Sequence, residues 1–375
     1  MNDFSLLVIQ RISIKQNGHT RHLLHSKWTC KFSTLFSSSK IYRKILMKDK
    51  TDIELLKKLG ELKSQFFNEI GKSIIGQHDV LDHILIALLC KGHTLIVGVP
   101  GLAKTLMIQS LADILSLNFK RIQFTPDLMP SDITGTEVFR PEDGSFRFQQ
   151  GPIFHNLVLA DEINRAPAKV QSALLEAMGE HQVSVGRESF LLPPLFLVMA
   201  TQNPIEQEGT YPLPEAQLDR FLMHVTIDYP AIEAERDILH LVRDEAKNKV
   251  QEPPKIIVQD NLFEARQEIL SMHMAPEVEE YIVQLIMASR QPELYGDDLV
   301  SWLEYGASPR GTISLDRCAR AFAWIKGRDF VSPDDVQEIL FDVLRHRILL
   351  SFEAEASGIT PDKVLETIRE RVPSA

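Results

Sequence analysis

The chain has 375 residues, of which 44% are hydrophobic, and its formal net charge is −10. This length and apolar content predict a globular protein with two domains, or with one large domain and an appendage. The net acidity argues weakly against a nucleic-acid partner, because duplex binding needs a clustered basic face.

The sequence indicates neither a membrane span nor a disulfide framework. Every apolar run stops short of the roughly 20 residues that cross a bilayer. The three cysteines, Cys30, Cys90 and Cys318, have none of the paired spacings that zinc sites or redox motifs use. We therefore expect a soluble, cytoplasmic protein that works in a reducing compartment and does not insert into membranes.

The first 46 residues differ from the rest in charge. They hold eight Lys or Arg residues against one acid, Asp3, so this segment is +7 and the remainder is −17. Such a basic, serine-containing segment superficially resembles an organelle transit peptide. At Met47 the composition changes to a charged amphipathic pattern, which predicts a helix over 51–67. We interpret residues 1–46 as an extension outside the real protein, with a genuine basic arm as the alternative.

From residue 94 onward, short apolar runs alternate with helical stretches. Five runs predict strands: TLIVGV at 94–99, FKRIQF at 119–124, LVLADE at 157–162, PLFLVMATQ at 194–202 and MHVTIDYP at 223–230. Strands separated by helices are typical of a parallel sheet that helices cover on both faces. The predicted fold class is therefore α/β.

Two segments interrupt this alternation and predict inserted β-hairpins. The segment EVFRPEDGSFRF, at 137–148, places Asp143 and Gly144 between two strand-forming runs, which is a strong turn signal. The segment QVSVGRESFLL has a similar turn around Gly186, although one glycine without a partner residue is a weaker signal.

The second part of the chain is predicted to be mainly helical. Strand signals fade after Pro230, and Ser332 followed by Pro333 is a typical helix start, with a capping hydroxyl and a first-turn proline. We therefore expect an α/β core over 47–230, which begins with an N-terminal helix, and a helical domain over 231–375.

The segment GVPGLAKT follows the first predicted strand and opens a helix, which is the position of a phosphate-binding loop. Bound phosphate needs inward-turned backbone N–H groups, a helix N-terminus, a lysine and a hydroxyl that binds magnesium. Thr105 supplies that hydroxyl and is a candidate Mg²⁺ ligand. The candidate nucleotide-binding residues are Gly98, Val99, Pro100, Gly101, Leu102, Ala103, Lys104 and Thr105.

Ala103 departs from the general pattern of such loops, in which glycine precedes the lysine. Alanine is compatible with the loop if the backbone is already helical, because only a left-handed conformation or a close approach demands glycine. The alternative interpretation is a plain strand-to-helix turn in which Lys104 and Thr105 occur by chance.

The strand LVLADE ends in two acids. Side chains at the carboxyl ends of parallel strands face the crevice in which ligands bind. We expect Asp161 to hold magnesium, directly or through water, and Glu162 to orient and deprotonate the attacking water. In isolation, a helix-capping Asp161 and a solvated Glu162 explain the pattern equally well. The phosphate loop upstream favours the catalytic interpretation.

Three further polar residues are candidates for the same site. Asn203 follows the fourth predicted strand, where its amide can hold the attacking water or contact the terminal phosphate. Arg220, in QLDRF, and Arg310, in GASPRGT, can stabilise the charge that develops during phosphoryl transfer. Each of the three has an ordinary alternative, a loop start for Asn203 and a surface salt bridge for each arginine.

Taken in order, GVPGLAKT, LVLADE, ATQNP, QLDRF and GASPR resemble the nucleotide-site landmarks of AAA+ ATPases, and more closely those of the MoxR-type branch. The resemblance covers roughly residues 64–350. In that branch the phosphate loop commonly has alanine before the lysine, so Ala103 matches the family where it departs from the general pattern. The two predicted hairpins correspond to the insertions of that clade.

The resemblance implies a five-stranded parallel sheet of order 5-1-4-3-2, followed by an α-helical lid, with ATP and Mg²⁺ as cofactors. It also implies that Asn203 is the first sensor, Arg310 the second sensor and Arg220 the finger that reaches a neighbouring subunit's nucleotide. Arg165 is an alternative for that interface role. A finger supplied from a neighbour implies a homo-oligomer, with a hexameric ring as the expected form.

The function that the resemblance implies is chaperone-like remodelling of partner proteins, driven by ATP hydrolysis. MoxR-type proteins resemble maturation factors that act with von Willebrand factor A domain proteins in assembling enzymes or inserting metal cofactors. Two alternatives remain open, a nucleic-acid motor and a magnesium-chelatase-like ATPase subunit. The predicted hairpins carry nearly balanced charge, which does not favour the nucleic-acid motor.

Overall fold

A computed structural model of the chain describes residues 76–142, 144–186, 188–204, 209–247 and 259–374. The basic segment 1–46, the predicted helix over 51–67 and Asp143 lie outside these ranges. Within the part of the chain that the structure describes, no helix is both long and apolar enough to cross a membrane.

The described secondary structure alternates between strands and helices up to residue 227 and is mainly helical beyond it. The strands are β1 (Thr94–Gly98), β2 (Phe119–Gln123), β3 (Gly135–Arg140), β4 (Ser145–Gln150), β5 (Leu157–Asp161), β6 (Gln182–Val185), β7 (Glu188–Leu191), β8 (Leu197–Gln202), β9 (Met223–Ile227), β10 (His273–Met274), β11 (Leu303–Tyr305), β12 (Phe330–Val331) and β13 (Leu349–Leu350).

The helices are α1 (His78–Leu89), α2 (Lys104–Ile114), α3 (Pro130–Thr134), α4 (Ala168–Glu180), α5 (Glu215–Leu218), α6 (Ile232–Lys247), α7 (Gln259–Ser271), α8 (Pro276–Arg290), α9 (Asp297–Trp302), α10 (Pro309–Ile325), α11 (Pro333–Leu344), α12 (Phe352–Ala356) and α13 (Pro361–Arg371). Two short 3-10 helices cover Ile163–Arg165 and Pro292–Leu294.

A five-stranded parallel sheet has the order β2-β5-β8-β1-β9. Counting only these strands in chain order, the sheet confirms the predicted order 5-1-4-3-2 and the α/β fold class. Strands β5 and β8 are buried at every position except the last, because helices cover both faces of the sheet. Burial on both faces explains why these strands appear in the sequence as continuous apolar runs.

Both predicted hairpins are present. Strands β3 and β4 pair antiparallel, and β6 and β7 pair antiparallel around Gly186, whose φ of +62° suits glycine. The rings of Phe148 and Phe190 stack between the two hairpins, with their centroids 4.1 Å apart. The hairpins therefore contact each other at the side of the core.

The predicted boundary after residue 230 falls between β9 and α6. The helix start predicted at Ser332 is confirmed, since α11 begins at Pro333 and Asp335 Oδ2 accepts a hydrogen bond from the Ser332 amide at 2.8 Å. Helix α10 packs against α1 as well as against α11. The helical part of the chain thus contacts the helix that precedes the first strand of the sheet.

Candidate active site

The predicted phosphate loop is the turn that joins β1 to α2. Gly98 ends β1 in a place where a Cβ atom would lie 2.6 Å from the carbonyl oxygen of Ile227, so a larger residue does not fit. Gly101 has a φ of +88° and open space around it. Lys104 is the first residue of α2, and its Nζ donates to the carbonyl oxygen of Gly98 at 2.5 Å. The turn therefore leaves an open cradle beside a lysine at a helix N-terminus.

The structure decides the condition on which the interpretation of Ala103 depended. Its φ of 50° and ψ of 26° are left-handed, so the backbone is not already helical at this position. Ala103 is the N-cap of α2, a position that lies outside the helix and does not require helical torsions. Alanine adopts this conformation at a cost of about 1–2 kcal/mol relative to right-handed backbone.

Replacing Ala103 by Gly is therefore expected to raise the free energy of unfolding by about 0.5–1 kcal/mol, since the gain at left-handed φ exceeds the entropy that glycine adds to the unfolded chain. Chemical denaturation of the two proteins measures the difference. The control is Ala112→Gly in the right-handed interior of α2, which should lower stability by about 1 kcal/mol or more. Destabilisation by Ala103→Gly would contradict the left-handed assignment.

Asp161 lies at the end of β5, next to Gln123 at the end of β2. Its Oδ2 accepts hydrogen bonds from Arg121 at 2.6 and 2.9 Å, and its Oδ1 accepts one from the Thr201 hydroxyl at 2.5 Å. The side chain is only 14% exposed. These donors fix a carboxylate at the edge of the sheet that faces Lys104.

Glu162 follows with a left-handed backbone, φ 57° and ψ 52°. Its amide donates to the Thr201 hydroxyl at 2.9 Å, and its Oε2 accepts from Gln123 Nε2 at 2.9 Å and from Arg165 Nε at 3.0 Å. Backbone strain of this kind is typical of functional sites. Here it directs the carboxylate towards the polar ends of the neighbouring strands.

Lys104, Asp161 and Glu162 form one electrostatic group. Burial lowers the pKa of Lys104, and the negative charges of the two acids oppose that shift. Asn203, the residue after β8, is buried at the same edge of the sheet. The structure therefore brings together the predicted residues from three separate segments of the chain.

Sequence reasoning missed the residues that surround the two acids. Gln123, Arg121 and Thr201 belong to strands that were predicted only as strands. Only Gln123, at the last position of β2, carried a signal of this kind, since a polar side chain at the carboxyl end of a parallel strand faces the same crevice as the acids.

Arg220 and Arg310 lie together in a different place. They line a cleft of about 300 Å³ between the residues around His93 and helix α10, and the phosphate-loop residues 98–105 do not line it. Lys91, Arg317 and Arg347 also line the cleft, whereas Asp219 is the one acid among its described lining residues.

The two arginines differ in how they are held. Arg220 Nη1 donates to the carbonyl oxygen of Leu175 on α4. Arg310 Nε lies 3.9 Å from Asp219 Oδ2, and its side chain is 56% exposed. Both side chains are exposed in a basic cleft, where their charges favour an anionic ligand.

The chain is similar in sequence to several known ATPases and chaperones. The family model of the ATPase family associated with various cellular activities (AAA) matches residues 93–223, and the AAA lid domain matches 301–368. Chaperone MoxR1 of Mycobacterium tuberculosis is 45% identical over 81% of this chain and 80% of its own length. Protein MoxR of Methylorubrum extorquens is 32% identical over 83% of this chain and 94% of its own length.

A crystal structure of a candidate ATPase from Cytophaga hutchinsonii superposes with a TM-score of 0.82 at 44% identity, covering 88% of this chain and 99% of that chain. Magnesium-chelatase subunits are more distant, and the one from Nostoc is 24% identical over 79% of this chain.

Proposed function

This chain belongs to the MoxR-type AAA+ ATPases, and we propose that it uses magnesium-dependent ATP hydrolysis to remodel a partner protein. The observation that supports the hydrolytic site most directly is the grouping of Lys104, Asp161 and Glu162 at one edge of the parallel sheet. The lysine and the helix N-terminus suit the negative phosphates of a nucleotide, and the two carboxylates suit the divalent cation that accompanies those phosphates.

The residues present fit ATP and Mg²⁺. The open side of Gly101 admits phosphate oxygens close to the backbone, and the half-buried Lys104 ammonium is within reach of them. Thr105 and Asp161 would hold the cation through a hydroxyl and a carboxylate, which are hard oxygen ligands. Bound magnesium supplies positive charge to the phosphate oxygens.

We assign hydrolysis to Glu162 and Asn203. The Glu162 carboxylate accepts the proton of the attacking water, and the Asn203 amide orients that water or the terminal phosphate. In the present arrangement Gln123 and Arg165 hold Glu162 Oε2. Both contacts are to the same oxygen, so the carboxylate can accept a proton at Oε1 while they are kept.

We assign Arg220 as the finger that reaches the nucleotide of a neighbouring subunit, and Arg310 as the second sensor beside it. They line one basic cleft that is separate from the phosphate loop of their own chain. A protein with its phosphate loop on one surface and its arginine cleft on another completes each site by head-to-tail assembly, and closed head-to-tail assembly produces a ring. We propose a hexameric ring located in the cytoplasm.

The partner that we propose is a protein with a von Willebrand factor A domain, with maturation of a metalloenzyme as the purpose of the remodelling. The hairpin β3/β4 exposes Val138, Phe139 and Phe146, and this apolar surface suits a protein client better than a nucleic-acid backbone. A magnesium-chelatase-like role would use the same machinery on another client.

The test is capture of the client by Glu162→Gln protein loaded with ATP and Mg²⁺. We expect a specific protein to remain bound to the variant with ATP and to be released with ADP. We expect EDTA to abolish ATP hydrolysis by the wild type and client capture by the variant. Wild-type protein with ADP is the control. Recovery of DNA or RNA in place of a protein would favour the nucleic-acid motor and contradict the proposal.

A further inference from the structure

One buried arginine, Arg347, contacts the chain on both sides of Arg220. Its Nε donates to Asp219 Oδ1 at 3.0 Å. Its terminal nitrogens donate to the carbonyl oxygen of Phe221 at 2.6 Å and to that of Leu222 at 3.1 Å. The residue before Arg220 and the two residues after it are therefore held by a single guanidinium group.

The remaining bonds of Arg347 join this segment to the helical part of the chain. Arg347 donates to the Ser314 hydroxyl of α10 at 3.2 Å and to the carbonyl oxygen of Val343 in α11. The side chain is only 2% exposed, and burial lowers its pKa while the charge of Asp219 opposes that shift. A buried cation with this many partners has little freedom to move.

Asp219 has two further contacts at the start of α10. The Ser308 hydroxyl, which caps that helix, donates to Asp219 Oδ2 at 3.0 Å, and Arg310 Nε forms an ion pair with the same oxygen at 3.9 Å. The position of α10 and α11 is thereby linked to the segment that carries Arg220.

We propose that Arg347 is a positioning residue for Arg220. It holds segment 219–222 against α10 and α11, so that the guanidinium group of Arg220 projects from the cleft at a defined position. This inference rests on the proposed function, in which Arg220 acts on the neighbouring subunit's nucleotide. Arg220 itself is exposed and its own anchor is the Leu175 carbonyl oxygen, so its placement depends on the backbone beside it.

Replacing Arg347 by Met keeps much of the volume and removes the five donors. Without them, Asp219 and the carbonyl oxygens of Phe221 and Leu222 each lose a donor that ties them to α10 and α11, and the segment shifts. A displacement of about 1 Å at a catalytic group costs on the order of 100-fold in rate. We expect ATP turnover to fall by about 10- to 100-fold, with the affinity for a fluorescent ATP analogue and the oligomeric state unchanged.

Mixed rings separate a positioning role from a merely structural one. Each site combines the acids of one subunit with the Arg220 of the next. Arg347→Met subunits mixed with Glu162→Gln subunits should regain turnover, because some sites then unite intact acids with a well-placed Arg220. Mixed with Arg220→Ala subunits they should regain none. The inference would be overturned if turnover returned in the mixture of Arg347→Met with Arg220→Ala, or if it did not return in the mixture with Glu162→Gln.

The matched control is Arg266→Met. Arg266 is also a buried arginine of the helical part, and it donates to the carbonyl oxygens of Leu88 and Leu89, far along the chain from Arg220. We expect its turnover per folded subunit to stay within about twofold of wild type, since the loss of a core contact alone leaves segment 219–222 in place. A loss equal to that of Arg347→Met would contradict the proposal.

Two further measurements keep the test decisive. If Arg347→Met does not fold, Asp219→Asn breaks the same charge pair with almost no change in volume and should behave identically in the mixtures. Mixtures of Arg220→Ala with Glu162→Gln test the proposed function itself. If that mixture does not recover turnover, Arg220 does not act across the interface. If it does recover turnover but the mixture of Arg347→Met with Glu162→Gln does not, only the positioning role of Arg347 is contradicted.

Discussion

Replacing Glu162 by Gln is expected to lower kcat for ATP hydrolysis by about 100- to 10,000-fold while ATP binding persists. Glutamine has nearly the same shape, so its amide oxygen can still accept a hydrogen bond from Gln123 or Arg165, the present partners of the carboxylate. It cannot accept the proton of the attacking water. The loss therefore falls on the chemical step and leaves the phosphate loop intact.

Steady-state phosphate release and equilibrium binding of a fluorescent ATP analogue measure the two quantities separately. Glu176→Gln, a change of an exposed glutamate on α4, is the matched control and should retain wild-type kcat. If Glu162→Gln retains more than about a tenth of wild-type turnover, another group is the base, because a general base contributes at least about 100-fold.

The second large effect is expected for Arg220→Ala. A finger that stabilises the transition-state charge contributes about 1,000- to 100,000-fold to kcat, so turnover should fall by about 1,000-fold or more. The variant keeps its own phosphate loop and acids, since Arg220 lines a cleft separate from residues 98–105. Nucleotide affinity should therefore change little. Phosphate release measures the loss of turnover, and binding of the fluorescent ATP analogue measures the affinity.

Mixing the two inactive proteins tests whether Arg220 acts across the interface. In a one-to-one mixed ring, about a quarter of the interfaces join an intact Glu162 of one subunit to an intact Arg220 of the next. Turnover should return towards that fraction of wild type. Absence of recovery, with mixed rings verified by tags on both subunits, would argue that Arg220 acts elsewhere.

Arg165→Ala, tested in the same mixtures, separates the two candidates for the interface role. Arg165 pairs with Glu162 of its own chain at 3.0 Å, so we expect its loss to be smaller and not to be rescued by Glu162→Gln subunits. Rescue of Arg165→Ala together with none for Arg220→Ala would reverse the assignment.

Much of the fold was predictable from local patterns. The apolar runs that predicted strands became the parallel sheet, because strands buried on both faces need continuous apolar sequence. The hairpin around Gly186 was predictable because a tight turn favours glycine. Asp161 and Glu162 were recognisable as candidates because they end a buried strand.

Local patterns thus predicted the five strands of the sheet, the two hairpins and the candidate nucleotide residues, and family resemblance supplied the sheet order. The left-handed backbone of Ala103, the donors around Glu162 and the contacts of Arg347 with segment 219–222 became apparent only in the packed structure. These features depend on contacts between side chains that are distant in sequence, and on a left-handed backbone that the presence of an alanine does not predict. Local sequence patterns report burial and turn chemistry, whereas contacts between distant segments arise only when the sheet and the helices pack.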